Sequence, residues 1–338
     1  ASIEKDKERY EHKYEYCDLL VTGSGPAGLS SAYAAAKNGA KVILAEDKPR
    51  FGGSLLTDDV TIDNLSGKAW SDKIITELKE MPNVIVKNRS QVFGYYDHNM
   101  VVMFEKTGDH LKEKPKYTPR QRLWYIRAKE VLLSTGSIER PIVFGNNDTP
   151  GIFLSAAAKE YMKVYGVLVG KKPLIFTNND SAYETALEFK KQGIESVIID
   201  TREEHSSELI DSAKNQHIQI KFSHAVIAAN GYKKVKSAQV GKLNKDKTQF
   251  ENSETIECDC ICVSGFWTPT VHLASQSGNK LKFNDQIDAF VPDTSKQNET
   301  SVGASKGTFT LKETLADGFK IGFDLSKKIT NNNNSTSI

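Results

Sequence analysis

Cys17-Asp18-Leu19-Leu20-Val21-Thr22-Gly23-Ser24-Gly25-Pro26-Ala27-Gly28-Leu29-Ser30 decides how the chain is read. A short apolar run ends in G-x-G-x-x-G and an alanine-rich stretch follows, the order strand, phosphate-binding turn, helix. Each glycine has its own task. Gly23 permits the tight turn, Gly25 lets a pyrophosphate approach the backbone, and Gly28 lets the helix pack closely on the strand. The helix start at Pro26 and Ala27 offers unpaired N–H groups and the positive end of the helix dipole. Lys41-Val42-Ile43-Leu44-Ala45-Glu46 reads as the next strand. Glu46, roughly 20 residues after the glycines, is placed to accept hydrogen bonds from the adenosine ribose. An acid there disfavours a 2′-phosphate, which favours NAD or FAD over NADP.

Three further stretches return toward the same turn. Asp47 follows the acid, and Gly52-Gly53-Ser54 lets backbone run beside a cofactor. Val131-Leu132-Leu133-Ser134-Thr135-Gly136 is a buried strand ending in small residues. In flavoproteins with two dinucleotide domains such a strand meets the cofactor, and Thr135 and Gly136 avoid a clash. Ser301-Val302-Gly303-Ala304-Ser305 is a late strand and turn. Such proteins usually carry Gly-Asp there, the Asp holding the ribityl chain of FAD. Ala304 after Gly303 cannot, which favours NAD.

The 338 residues carry 45 Lys and Arg against 43 Asp and Glu, a net charge of +2. That balance speaks against nucleic acid and membrane surfaces as partners. No apolar run approaches a membrane span, and residues 1–9 are charged rather than signal-like. Cys258, Cys260 and Cys262 alternate and are expected on one face of a strand, with Cys17 elsewhere. Buried reduced thiols fit a cytoplasmic protein better than a metal centre, and no metal ligands or catalytic pair are assigned.

Along the chain, residues 1–15 read as a polar lead-in and 16–165 as a dinucleotide-binding domain completed by 256–330. Residues 91–128 alternate as a β-meander, with Lys106 to Arg122 a basic, proline-broken loop over an anion or partner site. Residues 166–255 form an inserted second domain of the same kind. Leu174-Ile175-Phe176-Thr177, a helix and Ser196-Val197-Ile198-Ile199-Asp200 repeat the βαβ pattern. Their turn, Asn178-Asn179-Asp180-Ser181, has no glycine, and Asp180 at the helix start is expected to cap the helix and repel phosphate. A further meander runs to residue 250. A closing helix spans Thr314 to Lys328, and 331–338 read as a low-complexity tail. The fold class is α/β: two Rossmann-like domains of the FAD/NAD(P)-binding, disulfide-reductase-like type, each with a β-meander.

These residues resemble the dinucleotide-binding part of heterotetrameric sarcosine oxidase α subunits. The resemblance is carried by Cys17–Gly28, Glu46–Leu56, Ile126–Arg140, the run from Pro141 to Ile152, Thr177–Tyr183 and Val271-His272-Leu273. It implies an α, β, γ, δ complex that oxidises sarcosine to glycine and formaldehyde or methylene-tetrahydrofolate. NAD lies in the α subunit, with FAD and FMN held in or against the β subunit. The ferredoxin-like and folate-binding segments of family α subunits are not in this chain. Related subunits serve cyanide synthase and amino-acid dehydrogenase complexes. Two other readings stay open: a self-contained FAD-dependent NAD(P)H oxidoreductase, and a scaffold that binds no nucleotide. The first needs a second working turn and usually a C-x-x-C pair.

Overall fold

Strand β1 (Tyr10–Thr22) changes character halfway: exposed and half-buried residues alternate to Tyr16, then burial becomes nearly continuous from Cys17. The alternation is the signature of a sheet with one solvated face, and the continuous run that of a strand covered on both faces. The computed structural model describes residues 8–335. Residues 1–7 of the expected lead-in lie outside the described residues. The remainder of that lead-in is corrected, because Tyr10, His12, Tyr14 and Tyr16 recur with period two and form strand.

From β1 the chain enters α1 (Pro26–Lys37), β2 (Val42–Ala45) and, after a loop, α2 (Gly67–Glu80). β1 is the centre of a seven-stranded sheet. Val84–Lys87, β2, β1, Gln121–Leu133 and Glu299–Ser301 run parallel. Ser90–Tyr96 and Met100–Lys106 add the antiparallel meander. The separate strands expected around Leu123 and Val131 are one strand of 13 residues. Its first half pairs with Met100–Lys106, and Val131–Leu133 pair with Glu299–Ser301. Leu19, Val21, Val42 and Leu44 pack toward α1 and α2, while Leu20, Ile43, Trp124 and Ile126 fill the opposite side.

The closing helix Leu311–Ser335 lies directly on α1. A Cβ added at Gly318 would sit 2.5 Å from the Ala27 carbonyl oxygen, and one at Gly322 would sit 2.3 Å from that of Ser31. Ser31 Oγ donates to the Gly318 carbonyl at 2.8 Å. Small residues on both helices thus let the backbones touch. The helix runs through residues 331–335, so that part of the expected tail is helical; residues 336–338 lie outside the described residues.

The chain divides into two compact units, residues 8–137 with 269–335, and residues 138–268. The crossings come at 137/138 and 268/269 rather than at the expected 165/166 and 255/256. The physical reason is the run after Ser137. Glu139 accepts from the Ala156 N–H at 2.7 Å at the start of helix Ser155–Tyr165. Gly145 bridges to Ala228, and Asn146 Nδ2 donates to the Ala229 carbonyl at 3.0 Å. These bonds tie the segment to the second unit. That unit is a five-stranded parallel sheet, ordered Ile152–Leu154, Cys260–Ser264, Pro173–Thr177, Val197–Asp200, Gln219–Phe222. A three-stranded antiparallel meander from His224 to Glu257 accompanies it.

Candidate functional site

The glycine turn of the first unit has two filled positions and one open one. Gly23 has φ +95°, and a Cβ there would lie 2.3 Å from the Ser134 carbonyl oxygen. A Cβ on Gly28 would lie 2.0 Å from the Gly23 carbonyl oxygen and 2.6 Å from Ser134 Oγ. Gly25, the N-cap of α1, would place its Cβ against nothing within 4 Å. Pro26 opens the helix at a position where its missing N–H costs nothing. Bare backbone at the N-terminus of a helix, beside open space, is what an anionic phosphate requires.

Ser134 holds the turn from below: its Oγ donates to the carbonyls of Thr22 at 2.7 Å and Gly23 at 2.8 Å. Ser134 stands out in the sequence only as one of the small residues ending its strand, and Ser24 not at all, since a serine in a turn carries no distinctive signal. Ser24 is the hub. Its N–H and Oγ both donate to Glu46 Oε2, at 2.9 and 2.5 Å. The Gly52 N–H in turn donates to the Ser24 carbonyl at 3.1 Å and lies 3.2 Å from Ser24 Oγ. A Cβ on Gly53, at φ +54°, would come 2.9 Å from Gly25 Cα, so only glycine lets this loop lie on the turn. Ser54 continues the short helix begun by Gly53.

Glu46 is only 6% exposed. Its Oε1 accepts the Lys48 N–H at 3.0 Å. Burial, then a hydrogen bond shared with Asp47, push its carboxyl up to about 7. Gly303, at φ +65°, would set a Cβ 2.8 Å from Ala27 Cβ, which places the late turn against the first turn of α1. Thr135 and Gly136 are engaged elsewhere: Thr135 Oγ1 donates to the Thr270 carbonyl at 2.8 Å, and the Thr270 N–H donates to Gly136 at 3.0 Å. The structure thus joins Gly23, Gly25, Ala27, Gly28, Glu46, Asp47, Gly52, Gly53 and Gly303. Among the described residues, no hydrogen bond ties Thr135 or Gly136 to that group.

The second unit's turn is built from side chains. Asn179, not Asp180, is the cap, accepting from the Ser181 N–H at 3.1 Å and anchored to Ser264 Oγ at 3.0 Å. Asp180 instead pairs with Arg202 at 2.7 Å. Asp200, which ends its strand as Glu46 follows β2, is fully buried. It takes hydrogen bonds from Tyr183 at 2.8 Å and from Arg202 at 3.0 and 2.7 Å. The acid is therefore consumed inside the protein.

The four cysteines are unpaired and buried. Cys260 and Cys262 line one core of the second unit, but Cys258 lines the other. It precedes the strand Cys260–Ser264, so the alternation expected of the three does not reach it. Burial pushes the Cys258 thiol up to about 12. Among the described residues no three His, Cys, Asp or Glu side chains converge as metal ligands.

Comparison with known proteins agrees with this architecture. Sarcosine oxidase subunit alpha of Rhizobium meliloti (strain 1021) is 35% identical over 319 residues, which cover 94% of this chain and 31% of that protein. The chain thus spans about a third of the length of this curated relative. L-proline dehydrogenase from P. horikoshii superposes with a TM-score of 0.72 at 21% identity, covering 97% of this chain and 58% of that one. Thioredoxin reductase from T. acidophilum gives 0.70 at 17% identity, covering 93% and 98%. The pyridine nucleotide-disulphide oxidoreductase family matches residues 17–304, and the chain belongs to it.

Proposed function

We propose that this chain is the NAD-binding part of the α subunit of a sarcosine oxidase-type amine-oxidising complex, acting in the cytoplasm with β, γ and δ partners. The observation that carries the dinucleotide assignment is the open backbone at Gly25 between two filled glycines. The likeness to sarcosine oxidase subunit alpha supports the choice of complex. The residues fit a dinucleotide: Gly25 and the α1 N-terminus take the pyrophosphate, and Glu46 takes the adenosine ribose. The loop at Gly52, Gly53 and Ser54, with Thr135, Gly136 and Gly303, borders the remainder. Ala304 offers no carboxylate to a ribityl chain, which favours NAD here and leaves FAD and FMN to the β subunit. Bound NAD supplies a nicotinamide that accepts or donates hydride.

A self-contained FAD-dependent NAD(P)H oxidoreductase is the second reading, favoured by the thioredoxin reductase fold. The closed turn at Asn179 and the absence of C-x-x-C weigh against it. Oxygen uptake separates the two. The chain alone is expected to consume no oxygen with sarcosine or NADH, and sarcosine-dependent uptake is expected once the partner subunits are added. Unaided NADH oxidation with bound FAD would select the second reading.

Glu46 gives the site a pH signature. Its carboxyl ionises near 7 in the ligand-free chain. Ribose hydroxyls donate better to the ionised form, so they lower that pKa on binding. NAD affinity is therefore expected to rise with pH up to about 7 and to level off above it, with about 1.4 kcal/mol for each unit of pKa shift. For folding the sign is opposite. Its raised pKa contributes stability below the usual carboxylate range, and that contribution is lost as pH climbs to about 7. Glu46→Gln should flatten the binding profile, and Glu46→Ala should weaken binding by roughly 1–3 kcal/mol. A wild-type titration independent of pH would remove Glu46 from the site.

A further inference from the structure

Most buried carboxylates of this chain face a lysine or an arginine. Glu105 meets Lys87 and Arg122, each at 3.1 Å, and Glu130 meets Lys328. Glu188 meets Lys163 at 3.7 Å, and Asp200 meets Arg202 at 2.7 Å. Glu299 differs: it is 6% exposed and forms no ion pair among the described residues. The stem of Lys296 runs past Gly278, where an added Cβ would lie 3.1 Å from its Cδ, but its ammonium pairs with no carboxylate among the described residues. A buried ionised carboxylate is costly unless a cation balances it.

The groups around Glu299 are neutral and rich in oxygen. Ser301 Oγ donates to its Oε1 at 2.9 Å. Asn279 Nδ2 donates to its Oε2 at 2.8 Å and to Ser295 Oγ at 3.1 Å. Ser295 Oγ lies 3.1 Å from Oε2 and 3.0 Å from the Glu299 carbonyl oxygen, with a single proton for both. Ser277 Oγ, 3.5 Å from Oε2, is closer to the Ala274 carbonyl, to which it donates at 2.7 Å. Asn279 is 8% exposed, and its amide oxygen is buried with no hydrogen-bond partner among the described residues. That orphan acceptor sits on the same carboxamide whose nitrogen touches Glu299. Lone pairs outnumber protons in this cluster, the composition that a hard cation requires.

We infer that Glu299, Asn279, Ser277 and Ser295 bind a monovalent alkali cation, sodium ahead of the larger potassium. One carboxylate balances one positive charge, whereas a divalent ion would leave a buried excess. The amide and both hydroxyls crowd within 3.5 Å of Oε2, which suits the smaller ion. Turning the Asn279 carboxamide over presents its orphan oxygen to the ion in place of the nitrogen. Bound there, the ion ties the turn after the helix His272–Gln276 to the strand Glu299–Ser301, which leads into the Gly303 turn. The assignment does not depend on which dinucleotide the glycine turn takes.

Thermal melts of the full chain in sodium chloride and in tetramethylammonium chloride, at equal ionic strength, test it. Saturating sodium is expected to raise the melting temperature by about 3–6 °C, with potassium giving a smaller rise. Glu299→Gln keeps the shape and removes the charge, so its melting temperature should be the same in both salts. Sodium NMR reads binding without reference to folding: the wild type should broaden the sodium line and Glu299→Gln should not. Asn279→Ala keeps the carboxylate and should weaken sodium binding about tenfold, which gives a test even where Glu299→Gln does not fold. Equal melting of the wild type in the two salts overturns the site. So does a sodium line broadened alike by the wild type and either variant. Stabilisation by calcium but not by sodium overturns the monovalent assignment.

Discussion

Gly25→Ala is expected to leave the fold intact and remove most dinucleotide affinity. Gly25 has φ −65° and ψ −177°, which alanine adopts freely, and its added Cβ meets nothing within 4 Å. Melting temperature should therefore hold or rise slightly, as alanine lowers the entropy of the unfolded chain. The same methyl projects where a pyrophosphate would lie. Steric strain of about 1–3 kcal/mol would weaken NAD binding by roughly 10- to 100-fold. Gly28→Ala should behave in the reverse way. Its Cβ falls 2.0 Å from a backbone carbonyl oxygen, so stability itself should fall by about 3 kcal/mol. Thermal melts beside NAD titrations of the two variants make the comparison. Equal loss of stability in both would show that Gly25 is structural.

Gly322→Ala should be as damaging as Gly28→Ala, although it lies far along the chain from the motif. Alanine is the better helix former by about 1 kcal/mol. Here its Cβ would lie 2.3 Å from the Ser31 carbonyl oxygen and 2.7 Å from Ser31 Cα. Both are backbone atoms, so α1 and the closing helix must separate. A net loss of about 2–3 kcal/mol is expected, a fall in melting temperature of roughly 4–12 °C. Because α1 carries the turn proposed to bind the pyrophosphate, NAD affinity should fall as well. An unchanged melting curve would mean that the two helices do not rely on this contact.

The first βαβ unit was legible because its features are local: an apolar run, fixed glycine spacing and an acid at the strand end. The family likeness was legible for the same reason, in the run from Glu139 to Ile152. Its physical role was not, since the contacts of Glu139 with Ala156 and of Gly145 with Ala228 join positions distant in sequence. Charge hid the strand at Tyr10–Tyr16, where period-two tyrosines and a histidine alternate with Glu11, Lys13 and Glu15. Glycines 318 and 322 gave a small-x-x-x-small pattern that is ambiguous until the partner helix is known. Ser24 and Ser134 act through three-dimensional proximity alone. Even the degenerate second turn was only half legible: the missing glycines showed in sequence, but the Arg202 clamp on Asp180 and Asp200 did not.

The most direct measurement is calorimetric titration of the purified chain with NAD, with an absorbance spectrum recorded before and after added FAD. A colourless protein that binds one NAD per chain, roughly 10- to 100-fold more weakly after Gly25→Ala, is the predicted result. A yellow protein holding stoichiometric FAD, or two nucleotides per chain, would contradict the single NAD site at Gly25.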